Sequence, residues 1–126
     1  MSLKDIRNLD YTILLCGDVA KMRDFYREVL GFKIDEDRDD WVKFQVGSGY
    51  LTLRPRGRWY DGTVSGDGAK VQLSFRVSPE GVNTAHQELL DNSVEVLEPP
   101  TDQLFGHRTL YFKDPEGNIL EIYAEL

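Results

Sequence analysis

The chain carries the same order of secondary-structure patterns twice, and this repeat restricts its fold more than any other feature. Each half has an apolar strand pattern, a segment with apolar side chains at helical spacing, and three further strand patterns. In the first half these patterns fall at residues 9–17, 18–31, 32–35, 41–47 and 50–55. In the second half they fall at residues 71–77, 82–92, 94–99, 108–114 and 118–125. The repeat predicts two βαβββ modules and an α+β fold.

Residues with strong local preferences predict where the helices and the last hairpin begin and end. Asp18 predicts the N-cap of the first helix, and Gly31 predicts its end. Ser78 and Pro79 predict the N-cap and the first turn of the second helix. The Asp-Pro-Glu-Gly sequence at 114–117 predicts a tight turn before the last strand.

Composition and charge argue against several classes of protein. The chain has 126 residues, 40% of them hydrophobic. It has no apolar run of the roughly 18 residues that a membrane helix requires, and its N-terminus has no signal-peptide core, so we expect neither membrane insertion nor export. A net charge of −7 argues against a nucleic-acid partner. Cys16 is the only cysteine, which excludes an intrachain disulfide and favours a cytoplasmic location.

Two segments resemble motifs of a known family. Residues 17–32, GDVAKMRDFYREVLGF, resemble the first strand-to-helix signature of the vicinal oxygen chelate superfamily, also called the glyoxalase/bleomycin-resistance/dioxygenase superfamily. Residues 106–122, GHRTLYFKDPEGNILEI, resemble its closing hairpin. The resemblance spans residues 7–124 and implies one domain whose modules, at about 7–55 and 70–124, form a curled mixed sheet with a cup-shaped cleft. It also implies a homodimer, because most single-domain members pair their modules across chains. A small-molecule ligand is implied as well, because members include isomerases, dioxygenases, thiol transferases and non-catalytic drug-binding proteins.

The resemblance also identifies four positions that hold metal ligands in the metal-dependent members. In this sequence they carry Tyr11, Thr52, Gln72 and Glu121. Only Gln72 and Glu121 are suitable, because tyrosine and threonine coordinate divalent ions poorly. We therefore expect no metal cofactor, and we interpret Glu121 as a polar cleft residue balanced by arginine. A divalent metal held by Gln72, Glu121 and His107 is the alternative, with Glu121 as a ligand or catalytic base.

Strand alternation predicts which side chains line the cleft. Their mixture of apolar, aromatic and a few polar groups is typical of a small-molecule pocket. With the aromatic residues of neighbouring segments, the candidate ligand-binding set is Tyr11, Ile13, Leu15, Trp41, Thr52, Arg54, Trp59, Gln72, Ser74, Arg76, His107, Tyr111, Glu121 and Tyr123. The opposite faces of the strands predict core residues, among them Leu14, Cys16, Leu51, Leu53, Leu73, Phe75, Val77, Leu120 and Ile122.

Two parts of this set have more than one interpretation. Arg54 and Arg76 could bind a carboxylate or phosphate of a ligand, or they could only pair with Glu121 or with the acidic residues after the first helix. Trp59 and Tyr60 lie in a Gly- and Arg-rich connection and could cover a ligand or anchor a dimer. Single exposed aromatic residues also occur without any such role.

The sequence favours a metal-free small-molecule-binding protein with a cleft suited to an aromatic or anionic ligand. The first alternative is a metal-dependent lyase, isomerase or dioxygenase of the same superfamily with a non-standard site. The second is a structural or regulatory dimer without catalytic function. No motif for a nucleophile elbow or a phosphate loop occurs, and the Gly-rich residues 47–49 and 65–68 predict turns.

Overall fold

Two compact units make up the structure, a computed structural model that describes residues 3–63 and 69–126. The N-terminal unit comprises residues 1–62 and the C-terminal unit residues 63–126. Each unit contains a four-stranded mixed sheet and one helical segment, in the order strand, helix, strand, strand, strand. The α+β fold with two βαβββ modules is therefore confirmed. The predicted turn at 65–68 lies outside the described residues.

The sheet of the N-terminal unit has the order β1-β4-β3-β2. Strand β1 is parallel to β4, and the other pairs are antiparallel. A parallel pair requires a long crossover, which the helix and the β2–β3 hairpin supply. After a single 3₁₀ turn at Leu3–Asp5, the elements are β1 (Tyr11–Cys16), α1 (Val19–Asp24) continued by a wider π-helical turn (Phe25–Val29), β2 (Lys33–Arg38), β3 (Trp41–Val46) and β4 (Gly49–Pro55).

The sheet of the C-terminal unit repeats this arrangement with the order β5-β8-β7-β6. Strand β5 is parallel to β8, while β8 with β7 and β7 with β6 are antiparallel. The central position of β8 places its side chains between those of β5 and β7. The elements are β5 (Gln72–Arg76), α2 (Pro79–Asp91), β6 (Val96–Asp102), β7 (His107–Lys113) and β8 (Ile119–Glu125).

Both helices begin at the predicted N-caps. Asp18 Oδ1 accepts a hydrogen bond from the Lys21 N–H at 3.0 Å, and Ser78 Oγ accepts one from the Gly81 N–H at 3.1 Å. These bonds satisfy N–H groups that have no partner within the helix. Gly31 has a φ of +73°, a conformation that glycine adopts readily after a helix end. Among the residues that the structure describes, no helix is long and apolar enough to cross a membrane.

The predicted turn before β8 is fixed by the side chain of Asp114. Its Oδ1 accepts hydrogen bonds from the backbone N–H groups of Glu116 at 2.9 Å and Asn118 at 3.0 Å, and its Oδ2 accepts one from Asn118 Nδ2 at 2.8 Å. Gly117 has a φ of +86°, which favours glycine at this corner. The turn sets the register of β7 against β8 and hence the neighbours of Glu121.

The predicted core is buried only in part. Leu14, Cys16, Leu51, Leu53 and Leu120 are buried as predicted. The prediction that Leu73, Phe75, Val77 and Ile122 are core residues is wrong in degree, because all four are only half-buried. Leu73 and Phe75 lie on β5, an edge strand with no neighbour on one side. Conversely, two residues predicted to line the cleft are buried, Thr52 with 0% and Arg54 with 8% of the residue surface exposed.

Candidate functional site

Glu121 is the centre of a hydrogen-bonded group on the sheet of the C-terminal unit. It lies opposite Ser74 of β5 and opposite Tyr111 of β7. The Ser74 hydroxyl donates to Glu121 Oε1 at 2.6 Å, and Tyr111 also hydrogen-bonds to Glu121. Burial and then this hydrogen bond raise the pKa of Tyr111, a phenol that is protonated at neutral pH even at its ordinary pKa and is therefore a donor. Two uncharged hydroxyls therefore hold the Glu121 carboxyl group.

The prediction that arginine balances Glu121 is wrong. The register places Arg76 opposite Tyr123 instead of Glu121, and its Nη1 lies 3.4 Å from Glu125 Oε1. Both side chains of that pair are 64% exposed. An ion pair that is this exposed to water contributes little to stability. Strand alternation assigned Arg76 to the correct face but could not tell which acid on that face lies nearest.

An aromatic strip lies beside Glu121 on the same face. Tyr123, two residues further along β8, stacks on His107 with ring centroids 5.0 Å apart and an interplanar angle of 26°. Phe105 contacts His107 edge-on at 5.3 Å and 72°, and it is 69% exposed. His107 therefore lies on the face of Glu121, a point that the sequence left open. Phe105 was not predicted, because it lies in the turn before β7, where alternation gives no guidance.

The register separates the three residues of the alternative metal site. Gln72 lies level with Ile119, whereas His107 lies level with Glu125. At about 3.3 Å per residue, His107 is about 13 Å along the sheet from Glu121 and about 20 Å from Gln72. Because zinc–ligand distances are about 2.0–2.3 Å, these three side chains cannot share one ion. The non-standard site of Gln72, Glu121 and His107 is therefore wrong.

On the sheet of the N-terminal unit, Lys43 joins two tyrosines to two acids. The Lys43 Nζ lies 4.7 Å from the ring centroid of Tyr50 and 5.7 Å from that of Tyr11, which is 43% exposed. The same Nζ lies 3.0 Å from Asp35 Oδ2 and 3.0 Å from Glu36 Oε1. The hydrogen bonds with Glu36 and then Asp35 raise the pKa of Lys43 well above its usual range. Sequence reasoning missed Lys43, although it alternates with Trp41 along β3.

Arg54 is held by Asp61, which sequence reasoning also missed. Arg54 Nη2 lies 2.7 Å from Asp61 Oδ1 and Arg54 Nη1 lies 2.9 Å from Asp61 Oδ2, a bidentate pair in which the aspartate side chain is 1% exposed. The backbone N–H groups of Gly57 and Arg58 also donate to Asp61 Oδ2. The Arg54 guanidinium holds the pKa of Asp61 well below its usual range. The carboxylate that pairs with Arg54 is therefore that of Asp61, and not that of Glu121.

The remaining predicted residues of the N-terminal unit line up across β1, β4 and β3. Ile13, 41% exposed, lies opposite Thr52, and Leu15 lies opposite Arg54. The half-buried Trp41 begins β3. Trp59 lies outside the sheet, in the loop after β4, and is 92% exposed.

Comparison with known proteins decides the family. Residues 8–122 match the model of the Glyoxalase/Bleomycin resistance protein/Dioxygenase superfamily. The chain belongs to this superfamily. The resemblance inferred from the two sequence motifs is therefore confirmed.

Several relatives share about a quarter of their residues with this chain. The metallothiol transferase FosB of Staphylococcus saprophyticus is 26% identical over 125 residues, covering 94% of this chain and 78% of FosB. The glyoxalase domain-containing protein RDO1 of Mycosarcoma maydis is 25% identical over 93% of this chain and 68% of RDO1. Among solved structures, a glyoxalase/bleomycin resistance protein/dioxygenase from Nocardioides superposes with a TM-score of 0.83 at 22% identity, over 97% of this chain and 85% of that one. A lactoylglutathione lyase from Agrobacterium tumefaciens gives 0.75 at 20% identity, over 95% of each chain. The two solved structures establish the fold alone.

The side chains at the superfamily's metal positions do not suit a divalent ion. Tyr11 offers a phenol, and the Thr52 hydroxyl is buried without a hydrogen-bond partner among the described residues. Gln72 offers an amide, and Glu121 is engaged by two hydroxyls. Within residues 3–63 and 69–126, no three His, Cys, Asp or Glu side chains form a group that could hold a metal ion. The donor set lacks the imidazoles and multiple carboxylates that zinc, iron and manganese prefer.

Proposed function

We propose that this protein binds an aromatic small molecule without a metal ion, on the sheet face around Glu121. The observation that carries this proposal is the carboxyl group of Glu121, held by Ser74 and Tyr111 beside an aromatic strip. A carboxylate has about four lone-pair sites, and two hydroxyls occupy two of them. Glu121 thus retains acceptor capacity for a ligand group.

The aromatic strip supports a flat ligand. Phe105, His107 and Tyr123 form a continuous row of rings, and Tyr123, the half-buried ring nearest Glu121, can pack against a further ring. Tyr123 is two residues from Glu121, about 6.6 Å along the strand. A ligand with a planar ring system, and with a hydrogen-bond donor one or two bonds from that ring, would reach both Tyr123 and Glu121. Binding of this kind combines apolar contact area with one oriented polar contact, as small-molecule sites commonly do.

Charge on this face favours a neutral or cationic polar end over the anionic end that the sequence suggested. Among the described residues of this sheet face, three acids, Glu98, Glu121 and Glu125, outnumber two bases, Arg76 and Lys113. The other expected anion receptor, Arg54, is already neutralised by Asp61. A ligand carboxylate would therefore meet net negative charge, whereas an amine or hydroxyl would find an acceptor.

A metal-dependent transferase or lyase is the second candidate. Glu121 occupies the superfamily's glutamate ligand position, and FosB, 26% identical, is named a metallothiol transferase. Against it stands the donor set, since Tyr11 and Thr52 replace two ligands.

We place the protein in the cytoplasm, because its single cysteine cannot form an intrachain disulfide.

Three naphthalene probes that differ only in their polar end test the proposal. Thermal shift and calorimetry should show binding of 1-naphthylmethylamine and 1-naphthalenemethanol in EDTA, and weaker binding of 1-naphthylacetate. Parallel elemental analysis after incubation with zinc, nickel, manganese and ferrous iron should find less than stoichiometric metal. Binding that requires added metal, with metal retained by wild type and lost in Glu121→Ala, would establish the second candidate instead. Preferential binding of the acetate would refute the assignment of the polar end.

A further inference from the structure

A chain of hydrogen bonds crosses the sheet of the C-terminal unit and ends at Glu121. It begins at Gln103, in the turn between β6 and β7, whose Nε2 lies 3.0 Å from Glu98 Oε1 and 3.0 Å from Thr109 Oγ1. Thr109 is fully buried and also hydrogen-bonds to Tyr111, two residues further along β7. Tyr111 in turn hydrogen-bonds to Glu121. Both ends of this chain are therefore carboxyl groups, and an amide and two hydroxyls connect them.

The chemistry of these groups gives every hydrogen bond one direction. An ionised carboxylate only accepts hydrogen bonds, and an amide nitrogen only donates them. Because Glu98 faces Gln103 Nε2, the NH₂ group of the amide points towards Glu98 and Thr109, and the Thr109 oxygen accepts. The Thr109 hydroxyl can then donate its own proton to the Tyr111 oxygen. Tyr111 donates to Glu121, whose ionised carboxyl group has no proton to give.

This direction commits the hydroxyl protons next to Glu121. Ser74 donates to Glu121 Oε1 at 2.6 Å, and Tyr111 donates to the same carboxyl group. The charged donors of this face, Arg76 and Lys113, each lie two residues from the level of Glu121, about 6.6 Å along the sheet. The polar end of a ligand at Glu121 therefore meets a carboxylate with open lone pairs, beside hydroxyl protons that are already donated. Such a site binds a group that donates, whereas a group that only accepts, such as an ether, has no partner there.

We propose that Gln103 and Thr109 are positioning residues that direct the Tyr111 proton onto Glu121 and thereby make this face select ligands with a donor group. Both residues act through Tyr111. The inference rests on the proposed function, because it concerns the polar end of the same ligand, and it adds hydrogen-bond direction to charge as a basis of selection. Charge alone would admit a neutral ether as readily as a neutral alcohol, whereas the hydrogen-bonded chain favours the alcohol.

A pair of ligands that differ by one methyl group tests the selection. 1-Naphthalenemethanol can donate a hydrogen bond, and its methyl ether, 1-(methoxymethyl)naphthalene, keeps the ring and the oxygen but only accepts. In calorimetry with EDTA, wild type should bind the alcohol at least about tenfold more tightly than the ether. Gln103→Met removes the amide at nearly constant length, which frees the Thr109 oxygen to accept the Tyr111 proton, and should reduce this ratio at least about threefold.

Gln87→Met is the matched control for the loss of an amide. Gln87 Nε2 also donates to a carboxylate, Asp91 Oδ1 at 2.9 Å, but lies on helix α2, so this variant should keep the wild-type ratio. Equal affinity of wild type for the alcohol and the ether overturns the selection. A ratio that Gln103→Met leaves unchanged overturns the role of Gln103.

The titration of Tyr111 tests the direction of the chain without any ligand. Carbon-13 NMR of protein labelled at the tyrosine ζ carbon follows this residue, which Tyr111→Phe assigns, over the pH range in which circular dichroism shows an intact fold. Thr109→Val keeps the side-chain shape but removes the donor to the Tyr111 oxygen, so it should raise the pKa of Tyr111. Thr109→Ser keeps a hydroxyl and should restore the wild-type titration, which a purely structural role of Thr109 would not explain.

The two experiments separate failure of this inference from failure of the proposed function. An unchanged Tyr111 titration in Thr109→Val overturns the positioning role, whatever the ligand results are. Wild type that binds none of the naphthalene probes overturns the proposed function and the selection together. A shifted titration with binding of the alcohol but an unchanged ratio in both Gln103→Met and Thr109→Val overturns the selection alone.

Discussion

Substitution of Glu121 by glutamine tests whether a carboxylate receives the polar end of the ligand. Glutamine has nearly the same size and keeps a carbonyl oxygen whose two lone pairs can accept the hydrogen bonds of Ser74 and Tyr111. Its amide NH₂ group can donate to a ligand hydroxyl, which replaces the bond that the hydroxyl donated to the carboxylate. The network should keep its geometry, so the substitution changes mainly the charge. Its effect should then depend on the charge of the ligand's polar end.

The magnitude follows from the position of Glu121. Two unit charges 4 Å apart attract by about 1 kcal/mol in water and by about 4 kcal/mol at an effective dielectric of 20. Glu121 is half-buried, and a cation loses part of its hydration on reaching it, so we expect a net contribution of about 1–2 kcal/mol. Glu121→Gln should therefore weaken binding of 1-naphthylmethylamine about 5- to 30-fold. It should change binding of 1-naphthalenemethanol less than about threefold, and it should strengthen binding of 1-naphthylacetate.

Isothermal titration calorimetry at pH 7.5 in EDTA provides the assay. Glu125→Gln is the matched control, because it makes the same charge change on the same face of β8 but at a side chain that is 64% exposed. Its effect on the amine should be the smaller one, since water screens an exposed charge. An equal loss for all three probes would show that Glu121 acts through structure instead of charge. Equal effects of the two substitutions would refute the assignment of the site to Glu121.

Three further substitutions test the surrounding structure by urea denaturation. Thr52→Val should raise the free energy of unfolding by about 1 kcal/mol, because it removes a buried hydroxyl without a partner among the described residues; a fall would contradict this. Ser78→Ala should lower it by about 1 kcal/mol through loss of the N-cap, while Ser48→Ala in an exposed turn should change it by less than about 0.5 kcal/mol. Arg54 lowers the pKa of Asp61 below its ordinary 3.8, so the stabilisation is complete above about pH 5 and is lost as pH falls through 3.8 towards the lowered pKa. Asp61→Asn should flatten the acid side of the stability–pH curve, and parallel curves for the two proteins would exclude this linkage.

The fold could be predicted because its signals are local and occur twice. Asp18 and Ser78 cap their helices through their own side chains, and Gly31 and Gly117 adopt positive φ angles where the pattern requires a helix end and a turn. Alternation then separated core from cleft on β1, whereas on β4 Thr52 and Arg54, which it assigned to the cleft, are buried together with Leu51 and Leu53. On β5 alternation predicted more burial than the structure shows. Burial on this edge strand depends on whether another strand lies beside it, which the identity of Leu73 does not indicate.

Most residues of the candidate site could be predicted, but Phe105 and the pairing of the others could not. Alternation assigned Ser74, Tyr111 and Glu121 to one face, yet only the register of β5, β8 and β7 places them side by side. The partner of Arg54 was missed for a different reason. Asp61 lies in a loop, where no periodicity applies, and the hydrogen bonds that bury its side chain depend on the folded path of the loop.

The environment of Glu121 explains how this fold could bind a ligand without a metal ion. A carboxylate on a half-buried sheet face requires compensation for its lost hydration, which a metal ion would supply in a metal-dependent relative. Here Ser74 and Tyr111 supply it with two hydrogen bonds from hydroxyls that are protonated at neutral pH. Hydroxyl donors leave the negative charge in place, whereas a metal ion would cancel it. In the metal-free site that we propose, the carboxylate therefore stays available as an acceptor for a donor group, which is why we expect the ligand's polar end to be neutral or cationic.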